Sequence, residues 1–409
     1  MRNWAGNITF SAGELAQPGT VAELQELVGA GEHVRVLGTG HSFNRIADTP
    51  GTLISVAALP KLIEIAPDRR SVRVAAGLRY GEITAELEAN GLALHNLGSL
   101  PHISVAGACA TGTHGSGDTN APLAAAVVWT EFVGADGELV SLDRSHPDFP
   151  GSVISLGALG VTTYLTLAVE PSYQIRQVVY DGLPVERLAT DFDAVFASAY
   201  SVSAFTDWAD PEVMVWRKAK EISVDPEWLG ARLADGPRHP IKTMPADFAT
   251  EQGGVPGPWN ARLPHFRLEF TPSNGEELQS EYFVPRAEAG SAIEAMRALG
   301  NDLRELLQVS EVRTIAADDL WLSPSQGRDT VAFHFTWIQD EAAVRPVVEK
   351  IERALLPLGG RPHWGKVFAA DAATLRDCYP LVPDFVALAA KYDPTGKFRN
   401  PYLDTYLPA

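Results

Sequence analysis

Apolar positions along the first third of the chain switch between a helical and a strand period, and turn residues mark each switch. Thr20 followed by Glu23 has the form of a helix start, and Leu24, Leu27 and Val28 supply an apolar stripe, which predicts a helix ending near Gly29. His33 to Leu37 alternates polar and apolar residues and breaks at Gly38 and Gly40, so a strand is expected there with His41 on the turn beyond it. A further strand is expected over Thr52 to Val56. Residues 62–65 and 72–75 flank a Pro67-Asp68-Arg69-Arg70 turn and read as a hairpin. Ile83 and Leu87 mark a short helix closed by Asn90-Gly91. Pro101 to Gly117 (PHISVAGACATGTHGSG) has almost no large side chains and reads as glycine-rich loop rather than a regular packed element. Strands resume at Val127 to Val133 and Leu139 to Ser141, and Ser155 opens another glycine-containing segment that leads to a close near Pro171.

The next two hundred residues carry a weak internal echo. Each copy reads strand, polar loop, strand, helix: His265 to Phe270, Ser280 to Val284 and 287–299 in the first; Glu311 to Ala316, Val331 to Trp337 and 341–355 in the second. Two such units predict one antiparallel sheet with helices on one face and the other face free. The fold class is α+β. Three parts are expected: residues 1–172, residues 173–368 as a cap, and an aromatic-rich segment, 369–409, that folds back on the first part past a break at Asn400-Pro401.

With 409 residues the chain exceeds what one core usually organises, which agrees with two domains and a cleft between them. The formal charge of -18 opposes binding to nucleic acid or to anionic lipid. No apolar run is long enough to cross a membrane, no export signal is visible at the start, and the two cysteines, Cys109 and Cys378, suit a reducing compartment, so a cytoplasmic location is expected.

Neither Gly38-Thr39-Gly40 nor 112–117 has the G-x-G-x-x-G spacing of a Rossmann turn, although glycines on several loops can still wrap a pyrophosphate with backbone N–H groups. His102, Cys109 and His114 lack metal-site spacing, so no metal is expected and His114 reads as a residue that orders the glycine loop. Glu311 and Arg313 are two apart on one expected strand, as are His334 and Thr336 on the next, which puts all four on one sheet face if both strands line it. A solvated cross-strand ion pair fits that pattern equally well. Lys366, between Gly365 and Val367-Phe368, needs a negative partner if it is buried.

Taken in order, GTGHSF (Gly38 to Phe43), GSLPHISVAGACATGTHGSG (Gly98 to Gly117), SLGALGVT (Ser155 to Thr162) and PHWGK (Pro362 to Lys366) resemble the flavin oxidases of the vanillyl-alcohol-oxidase fold, with its PCMH-type FAD-binding domain. Val255-Pro-Gly-Pro-Trp259, Leu278-Gln-Ser-Glu-Tyr282, Glu311-Val-Arg313 and His334-Phe-Thr-Trp337 narrow the likeness to the bacterial alditol (xylitol) oxidases, over essentially the whole chain.

The resemblance implies FAD bonded covalently through His41. It implies a cofactor site formed by Gly38, Thr39, Gly40, Ser42, Phe43, Ser99, Ser104, Gly107, Gly112, Thr113, His114, Gly117, Gly157, Gly160, Val161, His363 and Lys366. Arg313 and Lys366 would stabilise an alkoxide, Glu311 would hold Arg313, and Ser99, His334, Thr336 and Gln279 would bind the hydroxyls of a polyol. Gly98 would leave O2 a path to the reduced ring, giving hydrogen peroxide. The partners are then a small polyol and O2, with the chain a monomer. His95 departs from the less polar residue expected of relatives. Rival readings are an aldonolactone oxidase or dehydrogenase, an NADPH-dependent flavin reductase and a non-enzymatic binding module.

Overall fold

The computed structural model describes residues 1–269 and 276–408. Helix α1 (Val21–Ala30) begins where Thr20 accepts a hydrogen bond from the backbone N–H of Glu23, and it buries Leu24 and Val28. The Glu23 carboxylate bonds Gly19 N at 2.7 Å. Strand β1 (Val34–Val36) and β2 (Thr52–Ile54) pair in parallel beside the short strand Leu15–Ala16. The hairpin β3 (Ile63–Ile65) and β4 (Ser71–Ala75) leads into α2 (Tyr80–Ala89), which ends at Asn90 with Gly91 in the left-handed region.

The glycine-rich stretch is not all loop. It contains α3 (Val105–Thr111), whose Val105, Ala108 and Cys109 are buried at helical spacing. Small side chains make the helix possible in this place, because it lies against the turn after β1. A Cβ on Gly38 or Gly107 would stand 2.5 or 2.7 Å from Ser104 Oγ. Gly112 caps the helix at φ +76°. Beyond it, β5 (Val127–Val133), β6 (Leu139–Asp143) and β7 (Val161–Ala168) complete a five-stranded antiparallel sheet in the order β3-β4-β7-β5-β6.

A ten-stranded sheet follows. Its centre runs β8 (Gln174–Pro184), β10 (Glu212–Ala219), β9 (Ser201–Thr206), β12 (Leu307–Ile315), β13 (Thr330–Ile338) and β11 (Glu277–Pro285), each pair antiparallel. One face is apolar: Leu278, Val312, Phe333 and Phe335 pack on α4 (Ala289–Leu303) and α5 (Glu341–Leu355) through Ile293, Met296, Val348 and Ile351. The opposite face forms a cavity wall.

The echo is incomplete. Among the described residues of His265 to Phe270 there is no strand, only a single bridge from Phe266 to Ala249; Phe270 lies outside the described residues. The backbone N–H groups of His265 and Phe266 donate instead to Ser99 O, at 3.1 and 3.3 Å, and so tie this segment to the glycine-rich loop.

The last segment holds α6 (Ala372–Cys378), α7 (Val382–Tyr392) and α8 (Pro401–Tyr406). Tyr379, Phe385, Leu388 and Leu403 share a core with Val72, Ile83 and Val127. Asn400-Pro401 starts a helix rather than breaking one: Asn400 Oδ1 accepts from Leu403 N at 2.9 Å, and Pro401 takes the first helical position, where its missing N–H costs nothing. No helix among the described residues is long and apolar enough to cross a membrane.

Candidate active site

One cavity of about 700 Å³ runs from the loops after β1, α2 and β6 to the polar face of the large sheet. Its loop end is lined by Gly38, Thr39, Gly40, His41, Ser42, Phe43, Ser99, Ser104, Gly107, Thr113, His114, Gly157 and Gly160, and its sheet end by Gln279, Glu311, Arg313, His334 and Thr336, with His363 and Lys366 beside them. Three residues implied by the resemblance lie elsewhere. Gly112 is spent on capping α3. Gly117 sits where a Cβ would strike Tyr200 O and the Asn120 amide at 2.3 Å, and its N–H pairs with Thr314 O. Val161 is fully buried in an apolar cluster with Val28 and Val133. Gly98 also lies behind the lining; a Cβ there would meet Thr113 Cγ2 at 3.5 Å and Leu123 Cδ1 at 3.9 Å, both ordinary contacts. His95 is outside the cavity too, with its ring bonded to Ala121 O at 3.1 Å, so it touches nothing that binds in the cavity.

His41 Nδ1 lies 3.0 Å from Thr39 Oγ1, and Trp4 stacks on the ring at 4.9 Å. Burial, then His102 and Arg79, push its pKa down to about 4, so the imidazole is neutral at pH 7. Arg35 anchors the neighbouring floor. Its guanidinium, 2% exposed, donates to Leu156 O and Gly157 O and to Phe398 O of the last segment. Neither Trp4 nor Arg35 stands out in the sequence, because each acts through a contact distant along the chain.

Strand alternation puts Gln279 and Glu281 of β11, His334 and Thr336 of β13, and Glu311 and Arg313 of β12 on one face, with His334 paired in register to both Glu281 and Glu311. The centre of the face is Glu281, 2% exposed. Lys366 Nζ donates to Glu281 Oε2 at 2.7 Å, and Arg313 Nη2 donates to Oε1 at 2.8 Å; His114 Nε2 lies 3.1 Å from the same oxygen. Burial alone would raise this carboxyl, but Lys366, His114 and Arg313 outweigh it and hold it well below the usual carboxylate range.

Arg313 is hydrogen-bonded by Glu281 and is also ion-paired, as the sequence suggested, with Glu311, whose Oε1 is 3.6 Å from Arg313 Nε, too far for a hydrogen bond. Glu281 stood unremarked inside the Leu278 to Tyr282 motif. The same alternation that aligns Glu311 with Arg313 aligns it with Gln279, but only the sheet order shows which strands are neighbours. His114 does order its loop, with Nδ1 2.8 Å from Gly115 O, and it also reaches the sheet.

His334 Nε2 lies 3.1 Å from Gln279 Oε1, and Gln279 Nε2 donates to Glu277 Oε1 at 2.6 Å. A carboxylate only accepts, so the amide turns its NH₂ toward Glu277 and its oxygen toward His334, which fixes the proton of His334 on Nε2 and leaves Nδ1 as an acceptor. Burial, then Lys366, drives His334 well below the ordinary imidazole value. It is neutral at pH 7.

Comparisons with known proteins identify the family. Residues 14–143 match the FAD-binding-domain family, and residues 273–406 match the D-arabinono-1,4-lactone oxidase family. The fold is that of cholesterol oxidase from B. sterolicum (TM-score 0.79, 14% identity, 100% of this chain and 96% of that one) and of a solvent-stable cholesterol oxidase (TM-score 0.79, 16% identity, 100% and 97%). Fold and site together define an FAD-binding flavoprotein of the vanillyl-alcohol-oxidase type. An alditol oxidase from Streptomyces sp. is 51% identical over 98% of this chain and 97% of its own length, and the chain belongs to that enzyme's family. More distant relatives include an L-gulono-1,4-lactone dehydrogenase from Mycobacterium tuberculosis, 28% identical (98% and 97% covered), and an L-gulonolactone oxidase from Bos taurus, 24% identical (98% and 97%).

The loop end of the cavity fits FAD. Gly38 and Gly107 bring two backbones together without side chains, and Gly40 and Gly157, at φ +72° and +68°, bend others in the left-handed conformation that glycine adopts without strain. The volume lies within the range of cofactor sites.

Proposed function

We propose that the chain oxidises the terminal primary hydroxyl of alditols such as xylitol and sorbitol to the aldose, with O2 reduced to hydrogen peroxide and FAD attached covalently through His41. One observation supports this reading above the others: the wall opposite the loop that bears His41 carries a buried and a largely buried cation pinned by one carboxylate, beside a neutral histidine whose Nδ1 is unbonded among the described residues. When bound, FAD supplies the hydride acceptor and, once reduced, the electrons that O2 takes up.

The protein residues handle the proton and the charge. As hydride leaves the carbon, the hydroxyl acquires the acidity of a protonated carbonyl, so a weak base suffices to take its proton. Among the cavity histidines, His41 is the residue given to the flavin, His114 has both nitrogens engaged, His265 lies against Glu311 and Lys218, and His239 and His363 accept at Nδ1 from Ile241 N and Gly365 N, which leaves a proton on each Nε2. His334 Nδ1 is the acceptor that remains. Lys366 and Arg313, already fixed by Glu281, stabilise negative charge on the substrate oxygen without reorganising, and such preorganised groups contribute several kcal/mol to a barrier, on the order of 2.7–4 each. Ser99, whose Oγ is 3.4 Å from Arg313 Nη1, together with Thr336, Gln279 and Glu311 bonds the other hydroxyls.

Two measurements test the reading. Acid-precipitated wild-type protein should retain yellow flavin in the pellet, and His41→Ala should release it or contain none; flavin in the wild-type supernatant would refute covalent attachment. Loaded enzyme should then produce peroxide with xylitol or sorbitol in preference to an aldono-1,4-lactone, and the reverse preference would favour the lactone oxidase reading. For oxygen, Gly98→Ala should fold with a stability change within about 1 kcal/mol, since the added methyl makes ordinary contacts. It should slow reoxidation by O2 in stopped flow while anaerobic reduction by xylitol is unchanged. Unchanged reoxidation would remove Gly98 from the oxygen path.

A further inference from the structure

Behind Glu311 lies a buried lysine that touches no cavity surface. Lys218 of β10 is 1% exposed, and its ammonium donates to Leu263 O at 2.6 Å and to Pro264 O and His265 Nδ1 at 3.1 Å each. Three acceptors match the three N–H donors of an ammonium. Lysine carries no acceptor in that form. An ionised Glu311 only accepts, so the His265 proton is on Nε2, which donates to Glu311 Oε1 at 2.8 Å, and Nδ1 is bare and accepts from Lys218. Phe205 and Trp216 meet the ring edge-on, at 5.5 and 5.3 Å, and keep it from turning. Glu311 Oε2 has no hydrogen-bond partner among the described residues, and Glu311 lines the cavity.

From this, and resting on the alditol reading above, we propose that Lys218 and His265 are positioning residues that lock Glu311 as an ionised acceptor with one oxygen turned to the substrate, and so make a hydroxyl at the facing carbon a requirement for good turnover. Neither touches the reacting atoms. The ionisation states of His265 and Glu311 agree with the geometry. Burial leads in pushing His265 down to about 4, so it is neutral at pH 7. Burial by itself would raise the Glu311 carboxyl, but Arg313 and then His265 hold it below the usual carboxylate range. Lys218 falls to about 7 through burial and Arg313, with Glu311 opposing, so the ammonium form of the relay prevails below that pH; Arg313, Glu311 and His265 are the charged or titratable groups that face it. A fixed acceptor of this kind suits polyols, which present an O–H donor on every carbon, and it rejects a substrate that leaves it unmatched.

The test compares xylitol with pentitols deoxygenated one position at a time, in wild type, His265→Leu and His265→Gln at matched flavin content. In wild type, removing the hydroxyl that faces Glu311 should cost about tenfold or more in kcat/KM, the scale of a lost bond to a charged group. His265→Leu should raise KM for xylitol by a similar factor and abolish the discrimination at that position alone, and His265→Gln, which keeps an N–H near Nε2, should restore it. A penalty that is unchanged in His265→Leu at every position would overturn the proposal, since a merely structural role would lower all substrates together. A second measurement needs no substrate. In protein labelled with ¹⁵N-histidine, the resonances lost in His265→Gln should show a neutral ring protonated on Nε2; a ring protonated on Nδ1, or a charged one, would overturn the relay whether or not polyols are the substrates. Failure of loaded wild type to oxidise any polyol while the Nε2–H form is seen would sink the alditol reading and the specificity role, and leave the hydrogen-bond relay standing.

Discussion

Lys366→Met should lower kcat/KM for xylitol by about 10²–10³-fold, the loss seen when one preorganised charge-stabilising donor is removed from an enclosed site. Methionine keeps most of the length and apolar body of lysine, so the change isolates the ammonium. Burial lowers the pKa of Lys366, and the Glu281 carboxylate at 2.7 Å opposes that shift, so the charge depends on the pair. The loss should appear in anaerobic flavin reduction, with the reaction of reduced flavin with O2 little altered. A variant with normal flavin content that keeps more than a tenth of the wild-type reduction rate would take Lys366 out of the chemistry. A conservative Lys366→Arg should recover little, because a planar guanidinium does not reproduce the single contact to Glu281 Oε2.

The second large effect is expected from Glu281→Gln, and it falls on stability as well as rate. The substitution is nearly isosteric, yet it leaves Arg313 and Lys366 buried without their shared anion, a situation that costs about 3–5 kcal/mol. Its pH dependence follows from the depressed carboxyl. The folded pKa of Glu281 lies below the ordinary value of 4.5, so its contribution is fully present above that value and is lost as pH falls toward the folded one. The difference in denaturation midpoint between wild type and Glu281→Gln should therefore be large at pH 7 and shrink below about pH 4. A gap that stays constant, or widens in acid, would show that Glu281 is not the anion that compensates the two cations.

Glu281 also marks the limit of what residue order along the chain reveals. Alternation in β12 and β13 placed Glu311 with Arg313 and His334 with Thr336 correctly, since a period of two needs only the strand itself. The acid two residues along does pair with Arg313, but the carboxylate that hydrogen-bonds it is on β11, separated from Arg313 in the sheet by β13 and 32 residues away along the chain, and no local pattern reveals it. Gly112 and Gly117 were assigned to the cofactor for a related reason. A glycine required by a helix cap or by a neighbouring carbonyl has the same one-letter signature as one that cradles a ligand. The stretch around Gly107 hid a helix because its buried stripe is made of Val105, Ala108 and Cys109, too small to register as a periodic apolar face.

What the sequence determined by itself is many of the local elements and the family: turn residues, strand alternation and capping depend on neighbours along the chain, and motif order survives without coordinates. The tertiary structure alone decided which groups share protons and charge. Lys218, His265, Glu311, Arg313, Glu281 and Lys366 come from β10, a connecting segment, β12, β11 and the turn after α5, and their interactions extend only a few ångströms. Burial makes each contact strong, and burial exists only after the sheet has closed over the loops.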